Sequence, residues 1–152
     1  MVHIGGGVAG LTAGAHAARA GRATLILTGD VVGGQLLSIE KIDGLADFPE
    51  GAPGYDFCPM LQEQAEEAGA EFLMTAASSL EAADGGWRVA TSEGDISARA
   101  VIVATGTSLK KLGVPGEDRL FGKGVSHCAS CDAPLLRGKV AAVVGGGDAA
   151  VR

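Results

Sequence analysis

Aromatic residues are almost absent, at 4% of 152 residues, so the core of this chain has to be built from Ala, Val, Leu and Ile. Positive charge is also short: 12 Lys and Arg stand against 18 Asp and Glu, a formal net charge of −6. With no basic stripe to neutralise phosphates, nucleic acid is excluded as an expected partner. Long apolar runs are missing too, the longest lying around residues 101–104 and 140–144. Both fall far short of the roughly 18 residues that span a bilayer. The opening residues Met1-Val2-His3-Ile4-Gly5 lack a basic start followed by an apolar run, so a cytoplasmic protein with no membrane association is expected.

Cysteine is scarce, at three residues, and two of these sit in the spacing Cys128-Ala129-Ser130-Cys131. Without a secretion signal, that spacing favours redox chemistry or metal binding over a disulfide framework. A structural zinc needs four ligands and one CxxC supplies two. His127 and Cys58 are the only additions on offer, because no second CxxC and no HxxxH occurs. A plain structural disulfide stays open beside the redox dithiol, which the flanking motifs favour.

What the chain has in quantity is glycine, 25 residues gathered at turns rather than spread as low-complexity sequence. Residues 2–4 read as a short strand running into Gly5-Gly6-Gly7-Val8-Ala9-Gly10. Residues 11–20, nearly all Ala, Leu and Gly, read as a helix closed by Gly21, and residues 23–28 as a second buried strand. A GxGxxG turn in this strand–turn–helix–strand context predicts dinucleotide binding, with glycines admitting a pyrophosphate to the helix N-terminus. The acidic residue that usually closes the second strand is replaced by Thr28-Gly29. Asp30, just beyond, is either its substitute or an ordinary turn residue.

Residues 31–54 form a long irregular connection, of the kind that is usually functional. A helix is expected over residues 55–69, with Pro59 near its first turn, a solvated acidic face, and Cys58 as a small buried filler, the alternative being a third redox thiol. From Glu71 onward the period is that of short antiparallel strands, at residues 72–74, 79–82, 87–91 and 96–98, with glycine turns between them. Residues 101–104 are an unbroken apolar run, typical of a strand buried on both faces, followed by Thr105-Gly106-Thr107. After the cysteine pair, residues 140–144 read as another first strand, leading into a second turn, Gly145-x-Gly147-x-x-Ala150.

With these residues in order, the chain resembles the low-molecular-weight thioredoxin reductases, FAD-dependent pyridine nucleotide-disulfide oxidoreductases of class II. GGGVAG is similar to the family's FAD pyrophosphate turn, GGQL at residues 33–36 to its flavin-contacting loop, and IDGLADFPEG at residues 42–51 to the segment running beside the flavin. VIVATG, SHCASCD and VVGGGDAA resemble the end of the first FAD portion, the redox pair and the NADPH turn. The resemblance implies an α/β chain, with a Rossmann-like FAD-binding portion of the three-layer ββα type over residues 1–107. Residues 108–152 would be a crossing segment and the first strand and turn of a second Rossmann-like NAD(P)-binding domain, carrying the CxxC. It implies FAD held by Gly5, Gly7, Val8, Ala9, Gly10, Thr28, Gly29, Gly33, Gly34, Gln35, Leu36, Ala104, Thr105 and Gly106. NADPH would be held by Gly145, Gly147, Asp148, Ala149 and Ala150.

For the chemistry, the resemblance gives Cys131 to the flavin side, Cys128 to attack on the disulfide of thioredoxin or a thioredoxin-like protein, and Asp132 to proton transfer. His127, read from its position alone, is expected to be a neighbour that tunes the pair, the alternative being a participant in its chemistry. A homodimer is implied for the full-length form. Two departures matter. Gly44 stands where the family commonly carries Asn, which would remove a flavin contact. The family also implies a longer chain, in which a C-terminal segment after the NADPH domain completes the FAD domain. Separately, a strand that leaves Val140, Val143 and Val144 unburied forfeits roughly 1.5–3 kcal/mol for each, so a fragment is expected. The alternatives are the reductase of a peroxidase system, which shares these motifs but adds an N-terminal thioredoxin-like module, and a truncated non-catalytic flavin- or nucleotide-binding module.

Overall fold

Small side chains and parallel pairing set the architecture from the first residues. The computed structural model describes residues 1–45 and 48–151; the side chains of Ser130, Cys131, Asp148 and Ala149 also lie outside the described residues. Strand β1 (Val2–Ile4) pairs in parallel with β2 (Leu25–Leu27), Val2 opposite Leu25, and helix α1 (Val8–Arg19) makes the crossing between them. The helix begins at Val8 rather than at Leu11, directly behind the extended Gly7. Its buried face is Gly10, Leu11, Gly14, Ala15 and Ala18. Gly14 shows why that face is small: a Cβ there would lie 2.4 Å from Ile26 Cδ1. The helix stops in the left-handed Gly21 (φ 70°), where the N–H groups of Gly21 and Arg22 donate to the carbonyls of Ala18 and Ala17.

The same device ends α2 (Gly54–Glu67): Gly69 (φ 91°) and Ala70 donate to Glu66 and Ala65. Pro59 lies in the interior of α2, not near its first turn. Its ring nitrogen cannot bond the carbonyl of Tyr55, and Tyr55 is exposed, so water can serve that carbonyl. Strand β3 (Glu71–Leu73) then pairs in parallel with β2. This corrects its expected place among the antiparallel strands; arriving from a helix, the chain re-enters the sheet in the direction it left. The antiparallel strands are β4 (Ala77–Ala83), β5 (Gly86–Thr91) and β6 (Gly94–Ala98), which form a separate three-stranded sheet. Strand β7 (Val101–Val103) returns to the first sheet beside β1, giving the order β3-β2-β1-β7.

Period-two alternation distributes the core. Val2, Ile4 and Leu27 face Val89 of the second sheet, and Ile26 faces Leu11, Ala15, Ala18 and Ala65 of the helices. Helices, parallel sheet and antiparallel sheet therefore make three layers. One expectation fails: β7 is not buried on both faces, since Val103 is 62% exposed. It is an edge strand, and among the described residues nothing pairs with its outer side.

His3 sits between Val2 and Ile4 and so points to the helix side, opposite Ile26 and Ile102 in register. It is 0% exposed, and neither ring nitrogen has a hydrogen-bond partner among the described residues. Burial, with the nearby α-amino charge, pushes its pKa below 6.5. The unfolded chain therefore takes up a proton near pH 6.5 that the folded chain refuses, and stability falls as pH drops below that value. Replacing His3 by Ile is expected to raise stability by about 1–3 kcal/mol, the cost of unpaired buried polar groups, and to flatten the dependence below pH 6.5. Denaturant titrations at pH 8 and pH 5.5 check this; an unchanged or lower midpoint for His3→Ile would count against it.

The chain divides into two units, Met1–Thr107 and Ser108–Arg152. The second holds three single-turn helices, α3 (Glu117–Leu120), α4 (Ala129–Asp132) and α5 (Asp148–Val151), with a 3-10 turn at Ala133–Leu136. Residues 140–144 do not form the expected strand, and Val140, Val143 and Val144 are exposed. A strand exists only with a partner for its N–H and C=O groups, and the described residues of this unit offer none. Among the described residues no helix is long and apolar enough to cross a membrane.

Candidate functional site

Because β1, β2 and β7 run parallel, the loops leaving their carboxyl ends gather at one edge of the sheet. Three close approaches lock these loops together, and each requires glycine. A Cβ at Gly5 would lie 2.1 Å from the carbonyl oxygen of Ala104, and one at Gly10 only 1.8 Å from that of Gly5. A Cβ at Gly6 would lie 2.8 Å from Thr28 Cβ. The Gly33 N–H donates to the Gly6 carbonyl at 2.8 Å, and Gly7 bridges Gly33 in parallel. The Gln35 side-chain amide donates to Thr107 Oγ1 at 2.8 Å and to the Thr107 carbonyl.

The residues expected to hold FAD thus converge: the turn from Gly5 to Gly10, the pair Thr28 and Gly29, the loop from Gly33 to Leu36, and Ala104 to Gly106. Thr107 joins them, a residue whose pairing with Gln35 across 72 positions no local pattern announces. Asp30 lies exposed in the turn after β2.

At the centre of this ring of fixed contacts, Gly7 is different. It has ordinary extended backbone (φ −84°). A Cβ there would meet nothing within 4 Å. Helix α1 behind it has no side-chain cap and no acidic residue in its first turn, so its leading N–H groups and positive end are open. The result is a cradle for an anion with backbone donors and room for the ligand's approach. The segment at residues 42–51 folds back on itself, Ile42 and Ala52 exchanging backbone hydrogen bonds of 2.8 and 3.0 Å. Ala46 and Asp47 within it lie outside the described residues. Gly44 has φ 79°, a left-handed backbone that Gly adopts freely and Asn more readily than most side chains, so the turn itself admits either residue.

Cys58 is buried with its Sγ 3.7 Å from the Gly33 carbonyl, and burial pushes its thiol pKa up. It is the inert filler expected of it.

In the second unit Cys128 is held in a disulfide. Ser126 Oγ accepts the Cys128 N–H at 3.0 Å and donates to its carbonyl at 3.2 Å, fixing the backbone just ahead of α4. The Asp132 N–H closes α4 on the Cys128 carbonyl at 3.1 Å. One turn carries little of a helix dipole, which leaves side chains as the source of any charge that tunes the pair. The Asp132 side chain makes no capping hydrogen bond to the 3-10 turn that follows.

Beside His127, the residue before Cys128, stands a residue that sequence reasoning does not single out. Glu117 is 5% exposed, and its carboxylate accepts the N–H groups of Leu112 (3.0 Å) and Gly113 (2.8 Å). The Leu112 bond foremost, with Gly113 and His127, holds its carboxyl below the ordinary range, against the opposing effect of burial. His127 Nε2 lies 3.9 Å from Glu117 Oε1, and its ring is tilted 33° over Phe121 at 5.5 Å. The only sequence signal is an acidic residue at the helix start behind Gly113-Val114-Pro115-Gly116.

The second glycine turn is not built as the fingerprint requires. Gly145 takes φ 127° and the Ala150 N–H donates to the Gly147 carbonyl at 2.9 Å, yet no strand leads into the turn. The side chains of Asp148 and Ala149 expected at the NADPH turn, and that of Cys131, lie outside the described residues.

The family model of the pyridine nucleotide-disulphide oxidoreductases matches residues 1–152. A thioredoxin reductase of Treponema pallidum is 35% identical over 150 residues, covering 99% of this chain and 49% of that protein. One of Bacillus subtilis is 39% identical over 153 residues, covering 99% of this chain and 48% of that protein. Among solved structures, a Lactococcus lactis thioredoxin reductase in its FR conformation superposes with a TM-score of 0.78 at 30% identity, covering 89% of this chain and 44% of that one. The chain spans about half the length of the curated relatives it matches.

Proposed function

The chain belongs to the pyridine nucleotide-disulphide oxidoreductase family, and on that premise we propose that the protein is an NADPH-dependent flavoprotein reducing the disulfide of thioredoxin or a thioredoxin-like protein. The observation that carries this reading is the cradle at Gly7. Its walls are fixed by glycine contacts that nothing larger would permit, while the one position facing the open helix end is left clear. A tight turn with no ligand has no need of that clearance. The similarity to proteins named thioredoxin reductase supports thioredoxin or a thioredoxin-like protein as the substrate.

In this reading residues 1–107 are the N-terminal part of the FAD-binding domain, and residues 108–152 are the crossing segment and the start of an NAD(P)-binding domain. Gly7, Val8 and Ala9 would offer backbone N–H groups to the pyrophosphate, and the loop from Gly33 to Leu36 with Ala104 to Gly106 would line the remainder. FAD, when bound, supplies two-electron transfer between a nicotinamide and a disulfide.

The work of the chain itself is thiol–disulfide exchange. The Cys128 thiolate attacks one sulfur of the partner's disulfide; a mixed disulfide forms as the partner's S–S bond breaks. Cys131 then attacks Cys128, the mixed bond breaks, and the partner leaves as a dithiol. Two electrons pass from the Cys128–Cys131 pair to the partner, and Asp132 conducts the accompanying protons.

Purified full-length protein is expected to be yellow and to oxidise NADPH only when thioredoxin is present. A colourless protein that takes up no added flavin rejects the proposal. Replacing Gly7 by Ala is a sharper test. The backbone there suits any residue and no atom is in the way, so the fold is expected to persist with its melting temperature unchanged. FAD affinity is expected to fall by about tenfold or more, equivalent to roughly 1.4 kcal/mol, as the new methyl group occupies the ligand's approach. Equilibrium flavin titration measures it.

A further inference from the structure

The proposed chemistry makes no use of Glu117, yet among the described residues of the second unit this buried carboxylate is held by two backbone hydrogen bonds. Two backbone N–H groups fix its oxygens, and Oε1 is turned toward His127 Nε2 at 3.9 Å. The ring of His127 also lies against Phe121, tilted 33° with the centroids 5.5 Å apart. The remaining charges nearby are committed or turned outward: Lys111 Nζ pairs with Asp118 Oδ1 at 2.6 Å, Arg119 is exposed, and Asp132 stands at the far end of α4. Glu117 is thus the anion that faces His127. The next residue is Cys128, whose Cα lies about 3.8 Å from that of His127 as for any trans peptide.

We propose that Glu117 is a positioning residue for the redox pair: its carboxylate, together with the Phe121 ring, fixes the orientation of the His127 ring, so that positive charge on that ring favours the Cys128 thiolate once the disulfide is reduced. This rests on the redox reading of the pair. The need is physical. An ordinary thiol is only a few per cent thiolate at neutral pH, and α4, at four residues, is too short to stabilise an anion by its dipole. A cation on the residue next to Cys128 in the chain is a source of positive charge that the helix cannot supply.

The geometry makes a prediction whose sign is opposite to that of the simple alternative. Glu117→Gln removes a negative charge, which acting directly would favour the thiolate and move its titration midpoint down. Acting through His127, the same substitution frees the ring and moves the midpoint up. The measurement uses the flavin-loaded full-length protein carrying Cys131→Ser, so that Cys128 is a lone thiol. Its alkylation by iodoacetamide is followed against pH, with the modified peptide identified by mass spectrometry; the buried Cys58 is resolved in the same spectra.

His127→Gln and Glu117→Gln are each expected to move the midpoint up by roughly half a pH unit or more, and Glu117→Gln added to His127→Gln is expected to add no upward shift. A downward shift or no shift for Glu117→Gln overturns the proposal, as does an upward shift that survives without His127. If Glu117→Gln does not fold, His127→Gln alone decides, and an unmoved midpoint there overturns it. Failure of the enzymatic reading is separate, because it is read as absent thioredoxin reduction in the unsubstituted protein.

Discussion

Replacing Cys128 by Ser is expected to lower thioredoxin reduction by about a thousandfold or more, leaving the flavin spectrum intact. A serine hydroxyl forms no mixed disulfide, so the exchange has no first step, and effects of this size are what loss of a covalent nucleophile gives. Cys131→Ser should be as inactive in turnover but different in outcome. Cys128 can still attack, and without Cys131 to resolve it the mixed disulfide with thioredoxin accumulates and is visible on a non-reducing gel. Together the variants separate the readings that the CxxC spacing leaves open. A structural disulfide predicts lower stability with retained turnover in both variants, and a non-catalytic flavin module predicts no turnover even before substitution. The assay is NADPH oxidation at 340 nm beside flavin absorbance at 450 nm; turnover persisting in Cys128→Ser sinks the assignment.

The second large effect lies in the glycine turn. Gly10→Ala places a methyl carbon 1.8 Å from the carbonyl oxygen of Gly5, a backbone atom that cannot step aside. Gly5 is itself pinned: its N–H donates to the Leu27 carbonyl at 2.8 Å, and its Cα faces the Ala104 carbonyl. Relief therefore requires α1 to move away from the sheet, which opens the contact of Leu11 and Ala15 with Ile26. A cost of about 3 kcal/mol or more is expected, beyond ordinary overpacking and a large share of a domain's roughly 5–15 kcal/mol. Loss of bound FAD should accompany it. Gly7→Ala, three positions earlier, should cost FAD affinity alone. A Gly10→Ala protein that melts like the parent would mean that the helix does not depend on this close approach. Calorimetry with flavin quantification distinguishes the two glycines.

The contrast between them marks the boundary of what letters can say. The sequence of GxGxxG, whose third position takes Ala in the second turn, does not say which glycines of the first turn make close contacts. The tertiary contacts separate the two that hold the backbone together, Gly5 and Gly10, from the one, Gly7, that holds space open. Likewise the apolar run at residues 101–104 reads as a doubly buried strand. Whether both faces of β7 are covered depends on its neighbours, and Val103 is left 62% exposed at the sheet edge. At residues 140–144 the apolar letters are present but no partner strand is, so no strand forms among the described residues. His3 and Glu117 carry no local signature, because the burial of one and the partners of the other come from segments distant in the chain.

By itself, then, the sequence determined what is decided within a few residues: where the backbone turns, where helices stop, and where two thiols stand close enough to close a ring. These follow from φ, side-chain size and spacing alone. Tertiary structure decided everything that needs a second segment: the parallel placement of β3, the gathering of four loops around Gly7, the exposure of β7 and the pairing of Glu117 with His127. Hydrogen-bond pairing and burial are properties of two surfaces meeting, and a single stretch of chain holds only one of them.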